Sequence, residues 1–346
     1  MNPRDNNQYK VVLCTTLSEL EAFQVQWNTL ASDLIHQSPI MCFEWMYTYF
    51  ECHEEQVQSW TVFMAFSGDR LIGILPVISE QVKKFGVSYQ ALSLPYSSET
   101  MSVDILIEDE SSNIITPLLI EAALNHYPRS QYLHFKRIDK RSKLFKNRRY
   151  LFSIEEFIEN GASLDNDIDY TARKSSLPKN FKSNLNKANN KAKKLGDVEF
   201  VYTESELSVE DQLKLVIDVE HASWKGEQGT AIACSDKNVR FYTKLVQRLS
   251  ERGWLAIHYL KVNNVVVAAN LGIRFNSSLL LWKLGYRDEF KKLSPGGLLM
   301  EKLLQHIDQD KSLKRIDLMT SESWYNNWNM QWRPFYDLYV FKKSPK

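Results

Sequence analysis

The residues of this sequence with the clearest chemical potential lie in the run Lys291-Lys292-Leu293-Ser294-Pro295-Gly296-Gly297-Leu298. Proline suits the first turn of a helix, and glycine places no side chain over the backbone N–H groups. The free N–H groups and the dipole of a helix N-terminus attract an anion such as a phosphate, and two lysines would add positive charge. The run therefore predicts a diphosphate-binding turn, unless Pro-Gly-Gly only makes a tight entry into the helix.

An internal repeat positions this turn, because residues 118–126 and 298–306, 180 positions apart, agree at five of nine positions. Apolar residues recur at helical spacing in both segments, a β-branched hairpin precedes each, and a short strand follows. The predicted elements are hairpins over 60–78 and 254–273, helices over 118–126 and 298–306, and strands Tyr132–Ile138 and Arg315–Met319. Each half is thus predicted to contain a hairpin, a further strand, a helix and a strand, although two common patterns could also agree by coincidence.

The equivalent turn of the first half has the sequence Asn113-Ile114-Ile115-Thr116-Pro117-Leu118. β-Branched residues stand there in place of the two glycines, and such side chains crowd a close approach to the backbone. If either half binds a diphosphate, it is therefore the second. The strand Leu279–Leu284 is predicted just before the second turn.

Two helices are predicted before the first hairpin. They are Ser18–Leu34, with a capping box of Ser18 and Glu21, and Phe43–Cys52, which follows Ser38-Pro39. Pro178–Leu195, ended by Gly196, is the clearest helix of the chain. Its apolar stripe is Leu177, Phe181, Leu185, Ala188, Ala192 and Leu195, and its other face carries Lys179, Lys182, Lys187, Lys191, Lys193 and Lys194.

These elements predict an α/β fold of two similar halves, each a mixed sheet with covering helices. We expect an N-terminal half over 1–138, a connection over 139–177 and a C-terminal half over 178–346. The second half should bind the ligand of the glycine turn, and the first should serve as a scaffold or help to hold a second substrate.

Composition favours a globular protein, with 44% hydrophobic and 25% charged residues and a formal net charge of +1. No apolar run approaches the roughly 20 residues that cross a bilayer, and residues 1–10 lack the apolar core of a signal peptide. Four scattered cysteines indicate neither a disulfide framework nor a zinc site. Dinucleotide and P-loop glycine motifs, His-Glu-x-x-His and Gly-x-Ser-x-Gly are all missing. We expect a cytoplasmic protein without a metal.

Short motifs follow one another in a set order over most of the chain. They are Ser38-Pro39, Leu71–Pro76, the basic helix from Pro178, Ala222–Lys225, Phe241-Tyr242, Arg252-Gly253-Trp254, Lys283–Tyr286, Leu293–Gly296 and Ser321–Trp328. In this order they resemble the CelD-like acyltransferases, a branch of the GNAT superfamily related to the Fem peptidyltransferases. The resemblance implies two GNAT-like halves and an acyl-CoA donor, acetyl-CoA or another. The donor pyrophosphate would lie on the amides of Leu293–Gly297 and its thioester along Leu281–Leu284.

The resemblance also implies an acid and a base for acyl transfer to an amine. Tyr325 matches the tyrosine of the family's acidic-x-Tyr segment and is the candidate acid for the leaving thiolate. Glu322, three residues earlier, is the candidate base and would share a helical face with it. A lysine common after this tyrosine in the family is Asn326 here, which puts in doubt any role that needs a cation there.

Three further side chains are candidates on the same resemblance. Lys283 and Tyr286 flank the implied thioester, and His221, before the Trp224-Lys225 loop, could supply a base. Each has an ordinary alternative, because tyrosines often fill cores and single histidines and glutamates are often structural or solvated.

Positive charge is concentrated in mid-chain, where 170–196 holds eight Lys or Arg and no acid, and 136–149 holds eight against one Asp. The lysine face of the basic helix could bind tRNA or an anionic membrane, or could simply be solvated. The first prediction is a CoA-dependent N-acyltransferase, acetyl before other acyl groups, acting on a polar metabolite, an amino sugar or a cell-envelope or polysaccharide precursor. The alternatives are a Fem-like transferase that uses aminoacyl-tRNA and a non-catalytic accessory protein of polysaccharide biosynthesis.

Overall fold

A computed structural model describes residues 9–34, 38–53, 59–84, 86–97, 99–167, 169–202 and 207–342. Residues 1–8, on which the expectation about a signal peptide largely rests, lie outside the described residues. The chain forms two compact units, unit 1 from Met1–Asn160 with Arg333–Lys346 and unit 2 from Gly161–Trp332. These bounds differ from those expected from the sequence, because the segment 139–177 contributes to both units and the last strand returns to unit 1.

The fold is mixed α/β, as predicted. The strands are β1 (Tyr9–Cys14), β2 (Ser59–Ser67), β3 (Arg70–Lys84), β4 (Val87–Ser93), β5 (Leu106–Ile107), β6 (Tyr132–Asp139), β7 (Ser153–Asp165), β8 (Val198–Tyr202), β9 (Leu255–Val262), β10 (Val265–Phe275), β11 (Ser278–Tyr286), β12 (Arg315–Asp317) and β13 (Gln331–Phe341). The helices are α1 (Leu17–Glu21), α2 (Gln24–Asp33), α3 (Phe43–His53), α4 (Ser112–His126), α5 (Lys143–Asn147), α6 (Tyr170–Ser176), α7 (Lys179–Leu195), α8 (Val209–His221), α9 (Trp224–Glu227), α10 (Asp236–Glu251) and α11 (Pro295–Ile307). Short 3-10 helices lie at Pro39–Met41, Arg148–Tyr150, Ile232–Cys234, Asp288–Leu293 and Ser323–Trp328.

Unit 1 is built on strands that pair in the order β1, β2, β3, β4, β6, β13 and the first part of β7. The predicted β2–β3 hairpin is present and turns at Gly68, whose φ is +59°. Helix α4 packs so closely on this hairpin that a Cβ on Gly73 would lie 2.6 Å from Ile115 Cγ2. After α4 the chain returns as β6, which pairs in parallel with β4.

Unit 2 repeats this arrangement with strands in the order β7, β12, β11, β10, β9 and β8. The β9–β10 hairpin turns at Asn263 and Asn264, whose φ values of +49° and +64° suit a two-residue turn that matches strand twist. Helix α11 connects β11 to β12, which pair in parallel, and α7 packs beside α11. Helices α8 and α10 pack together, with α8 against β10 and β11. The predicted order of hairpin, strand, helix and strand is therefore confirmed in both units.

Three local predictions need correction. The first predicted helix is two helices, and its capping box is formed by Thr16 and Glu19 rather than by Ser18 and Glu21. Leu195 is 55% exposed because it is the last residue of α7, directly before Gly196, whereas Leu177, Leu185, Ala188 and Ala192 of the same stripe are buried. Residues 113–118, expected to form the turn before the helix over 118–126, already belong to α4, so Pro117 lies inside that helix.

Candidate active site

The N-terminus of α11 presents two consecutive free backbone donors. Helix α11 starts at Pro295 directly after Ser294, whose φ is +47°, and the N–H of Leu298 donates to Ser294 O at 3.1 Å. Within the described parts of the chain, the N–H groups of Gly296 and Gly297 have no hydrogen-bond partner. They lie at the positive end of the helix dipole, where an anion is stabilised.

Neither backbone conformation nor packing requires glycine at these two positions. Neither residue has a positive φ. A Cβ on Gly296 would lie 3.7 Å from Tyr286 Cδ1, and one on Gly297 would lie 3.6 Å from Leu185 Cδ2, which are ordinary contacts. Glycine is moreover the less favourable choice in a helix, by about 1 kcal/mol relative to alanine. What glycine supplies here is unobstructed access to the amides, as a closely approaching phosphate would need.

The residues before the turn supply charge and an anchor. Lys291 and Lys292 are exposed, and neither ammonium has an ion pair or hydrogen bond to any described residue. Leu293 is 7% exposed and belongs to the core that α7 and α11 share with the sheet. The exposed Ser294 follows it. The buried leucine thus fixes the start of the turn while both lysines remain available to an anion.

Strand β11, which leads toward this turn, leaves its neighbour β12 early. The β11–β12 pairing covers only Ser278–Leu280, so among the described strands nothing pairs with this edge of β11 over its remaining length. On the other side, the register with β10 skips Trp282, which makes a β-bulge. A bulge and an open edge together leave backbone groups of β11 available to side chains or to an extended ligand.

A buried hydrogen-bond chain supports the bulge. The amide Nδ2 of Asn270 donates to Lys283 O at 3.0 Å, so Asn270 Oδ1 must accept from His258 Nδ1, also at 3.0 Å. This fixes the proton on Nδ1 and leaves Nε2 of His258 a buried lone pair without a partner among the described residues. Burial lowers the pKa of His258 to about 4, so the imidazole is neutral at pH 7.

An ion pair from the end of α8 also reaches β11. Lys225 Nζ donates to Glu220 Oε1 at 2.9 Å and to Leu284 O at 3.0 Å. The other carboxylate oxygen of Glu220 accepts the N–H of Ile232 at 2.9 Å. A Cβ on Gly285 would lie 3.1 Å from the Glu220 Cα, so α8 lies directly on the strand. Glu220 and Lys225 were not predicted as functional residues; the available signal was that Glu220 falls on the apolar stripe of α8.

The two predicted β11 candidates lie on opposite faces of the strand, because side chains alternate along it. The ring of Tyr286 lies beside Gly296, together with the side chain of Leu284. Lys283 lies on the other face, with its ammonium 5.4 Å from the ring centroid of Tyr242. The structure therefore brings Tyr286, but not Lys283, next to the glycine turn.

The predicted acid is buried. Tyr325 is 6% exposed, its hydroxyl lies 3.0 Å from Thr320 Oγ1, and it belongs to the same core cluster as Leu185, the neighbour of Gly297. Burial, with the charge of Glu322 as a lesser contribution, raises the pKa of Tyr325 to about 12, so the phenol keeps its proton at neutral pH.

The two predicted bases are exposed. Glu322 precedes a 3-10 helix rather than lying in an α-helix, and its main-chain carbonyl, not its carboxylate, accepts the N–H of Tyr325. His221 is the last residue of α8, next to the buried Glu220. Both can therefore exchange protons with solvent.

Comparison with known proteins identifies the class of the second half. Residues 179–327 match the family model described as Acetyltransferase (GNAT) domain, which covers the glycine turn and all the candidates above. No curated protein matches the chain. The match identifies residues 179–327 as a GNAT acetyltransferase domain, which supports an acyltransferase.

Solved structures extend the likeness to both units. FemX has a TM-score of 0.63 at 10% identity, covering 94% of this chain and 96% of its own. A protein of unknown function from Bacteroides thetaiotaomicron has a TM-score of 0.60 at 9% identity, covering 96% and 100%. A tandem GNAT protein from the clavulanic acid biosynthesis pathway has a TM-score of 0.52 at 10% identity, covering 97% and 100%. At these identities the likeness concerns the fold, which is that of two GNAT halves.

Proposed function

We propose that the protein is an acyl-CoA-dependent N-acyltransferase of the CelD-like branch, with acetyl as the first acyl group to test. The acceptor would be the amino group of a polar metabolite, an amino sugar or a precursor of a polysaccharide or the cell envelope. One observation carries the proposal: two adjacent amides at the start of α11 are free, at glycines that neither packing nor conformation requires.

The residues around the turn fit the diphosphate of CoA. The N–H groups of Gly296 and Gly297 would donate to its oxygens, Lys291 and Lys292 would offset its charge, and Ser294 would add a hydroxyl. Leu293 would anchor the turn. When bound, the donor supplies an activated acyl thioester, which the resemblance places along Leu281–Leu284.

Side chains of unit 2 would handle the protons of the reaction. Tyr325, whose pKa burial raises to about 12, carries its proton at neutral pH and would donate it to the leaving thiolate. Glu322 or His221, both exposed, would take the proton of the acceptor ammonium directly or through water. Tyr286, beside Gly296, would help to position the donor, and Lys283 would act on the opposite face of β11.

The basic face of α7 supports a second candidate, a Fem-like transferase that takes its acyl group from aminoacyl-tRNA. Lys187, Lys191 and Lys194 are exposed, and no described side chain pairs with them. If they bind tRNA, changing all three to glutamine should weaken binding and reduce its salt dependence by about three ion equivalents. An unchanged salt slope would leave α7 as a solvated helix.

Calorimetry and thiol release together test the proposal. Calorimetry with acetyl-CoA and with CoA asks whether the donor binds, and free-thiol release with a panel of acyl-CoAs and amines asks whether it reacts. Donor binding followed by amine-dependent thiol release supports the enzyme. Absence of CoA binding refutes the CoA-dependent activity, and the tRNA-dependent and accessory functions are then tested instead.

The four cysteines are free, in keeping with the proposed cytoplasmic compartment.

A further inference from the structure

The ammonium of Lys225 is held at β11 by two hydrogen bonds, which leaves its third N–H group available to a ligand. An ammonium carries three N–H donors, and two of them bond Glu220 Oε1 and Leu284 O. Among the described residues the third has no partner, and the side chain is 21% exposed. Leu284 lies four residues beyond the last β11 residue that pairs with β12, so the third donor is available where β11 has an unpaired edge.

Glu220 holds this ammonium rigidly. Its side chain is 1% exposed, and both of its carboxylate oxygens are engaged, one by Lys225 and the other by the N–H of Ile232. The turn after α8 is equally tight, because a Cβ on Gly226 would lie 1.9 Å from His221 O. A partly buried cation held in one position by a buried carboxylate is costly to build, and it is the kind of preorganised charge that stabilises a developing negative charge.

We propose that Lys225 is a catalytic residue that stabilises the negative charge on the acyl carbonyl oxygen during transfer. The inference rests on the proposed function, in which the thioester lies along Leu281–Leu284. The amine nitrogen forms a bond to the carbonyl carbon, the C=O π pair moves to the oxygen, and the third N–H of Lys225 binds that oxygen. When the pair returns, the C–S bond breaks, the base holds the proton of the amine, and Tyr325 protonates the thiolate.

The alternative is that the Glu220–Lys225 pair only joins α8 to β11. Lys225→Met alone does not separate the two, because it leaves a buried carboxylate uncompensated and could prevent folding. The double variant Glu220→Gln/Lys225→Met is neutral, and its glutamine oxygen can still accept from Ile232. Lys214→Met, which replaces an exposed lysine of α8, is the matched control.

Affinity and turnover are both measured on the full-length protein. In the double variant we expect a melting temperature near that of the wild type and an unchanged Kd for CoA. Any preference for acetyl-CoA over CoA should disappear, because only acetyl-CoA offers the carbonyl, and kcat should fall about 10²- to 10³-fold. Lys214→Met should change none of these.

Two results overturn the inference while leaving the proposed function intact. One is a double variant with unchanged kcat. The other is an equal loss of CoA and acetyl-CoA affinity, which would show that the pair only maintains the fold of the strand. If the wild-type protein binds no CoA at all, the proposed function fails and this inference fails with it.

Discussion

Gly296→Val tests the donor turn most directly, because the structure predicts that it impairs binding without impairing folding. The position has a negative φ, and a Cβ would lie 3.7 Å from Tyr286 Cδ1, so the new side chain can be accommodated. Valine and glycine have similarly poor helix propensities, so the free energy of unfolding should change by less than about 1 kcal/mol.

The expected loss of affinity follows from one hydrogen bond. A valine side chain over the turn would obstruct the free N–H at 296, and a hydrogen bond to a charged phosphate contributes about 1.5–3 kcal/mol. Since about 1.4 kcal/mol corresponds to tenfold, the Kd for acetyl-CoA should rise about 10- to 150-fold in calorimetry. CoA should be affected equally, because the contact is to the diphosphate and not to the acyl group.

A matched control is available in unit 1. Asn113 is exposed and is the second residue of α4, as Gly296 is the second residue of α11, so Asn113→Val makes a similar change at the other helix start. It should leave the Kd unchanged. The reasoning is refuted if Gly296→Val folds normally and binds the donor as tightly as the wild type.

Three further variants test other parts of the structure. Tyr325→Phe should lower kcat about 10²-fold or more, measured by thiol release. The loss of stability in urea unfolding should be only about 1 kcal/mol, because Thr320 loses one hydrogen bond and keeps the one to Leu318 O. Burial lowers the pKa of His258 to about 4, below its unfolded value, so protonation favours unfolding and stability falls as the pH drops from about 6.5 toward 4. His258→Asn should flatten that dependence, by up to about 3 kcal/mol, in urea unfolding at pH 7 and pH 4.5. Burial raises the pKa of Asp337, but hydrogen bonds from His134 and Arg137 outweigh this effect and hold the pKa below its usual value. The carboxylate therefore stabilises unit 1 at neutral pH, and this stabilisation is lost as the pH falls through the lowered pKa. Asp337→Asn should cost about 1–3 kcal/mol at pH 7, and an unchanged denaturation midpoint would contradict this.

Local sequence signals were sufficient for most individual elements. The hairpin turns at Gly68 and at Asn263-Asn264 use residues that tolerate positive φ, and each lies between β-branched runs, so strand and turn were both visible in the sequence. Pro295 indicates the start of the α11 helix, and apolar periodicity indicates its length. These features depend on neighbours a few residues apart, which is the range that sequence patterns describe.

The unit bounds and half of the site depend on longer-range contacts. Strand β13 pairs with β6, for example Leu338 with Phe135, about 200 positions earlier, and nothing near Leu338 indicates that pairing. Lys225 acquires its position only because α8 packs on β11 and brings its ammonium to Leu284. The burial of the Tyr325 side chain likewise follows from packing against α7 and α11 and is not predicted by its sequence motif.

The repeat explains why, in the proposed function, the second half would bind the donor and the first half would not do so in the same way. In α4 the N–H groups of Ser112 and Ile114 already bond Asp109 O and Ser111 O, at 3.4 and 3.0 Å, so its first turn is largely satisfied from within. In α11 the proline removes one donor and the next two amides stay free, at residues without side chains. Because the order of strands and helices is the same in both units, the difference lies in the chemistry of one turn and not in the fold. A GNAT-like fold therefore does not depend on free amides at this turn, and unit 1 has the structure expected of a half without them.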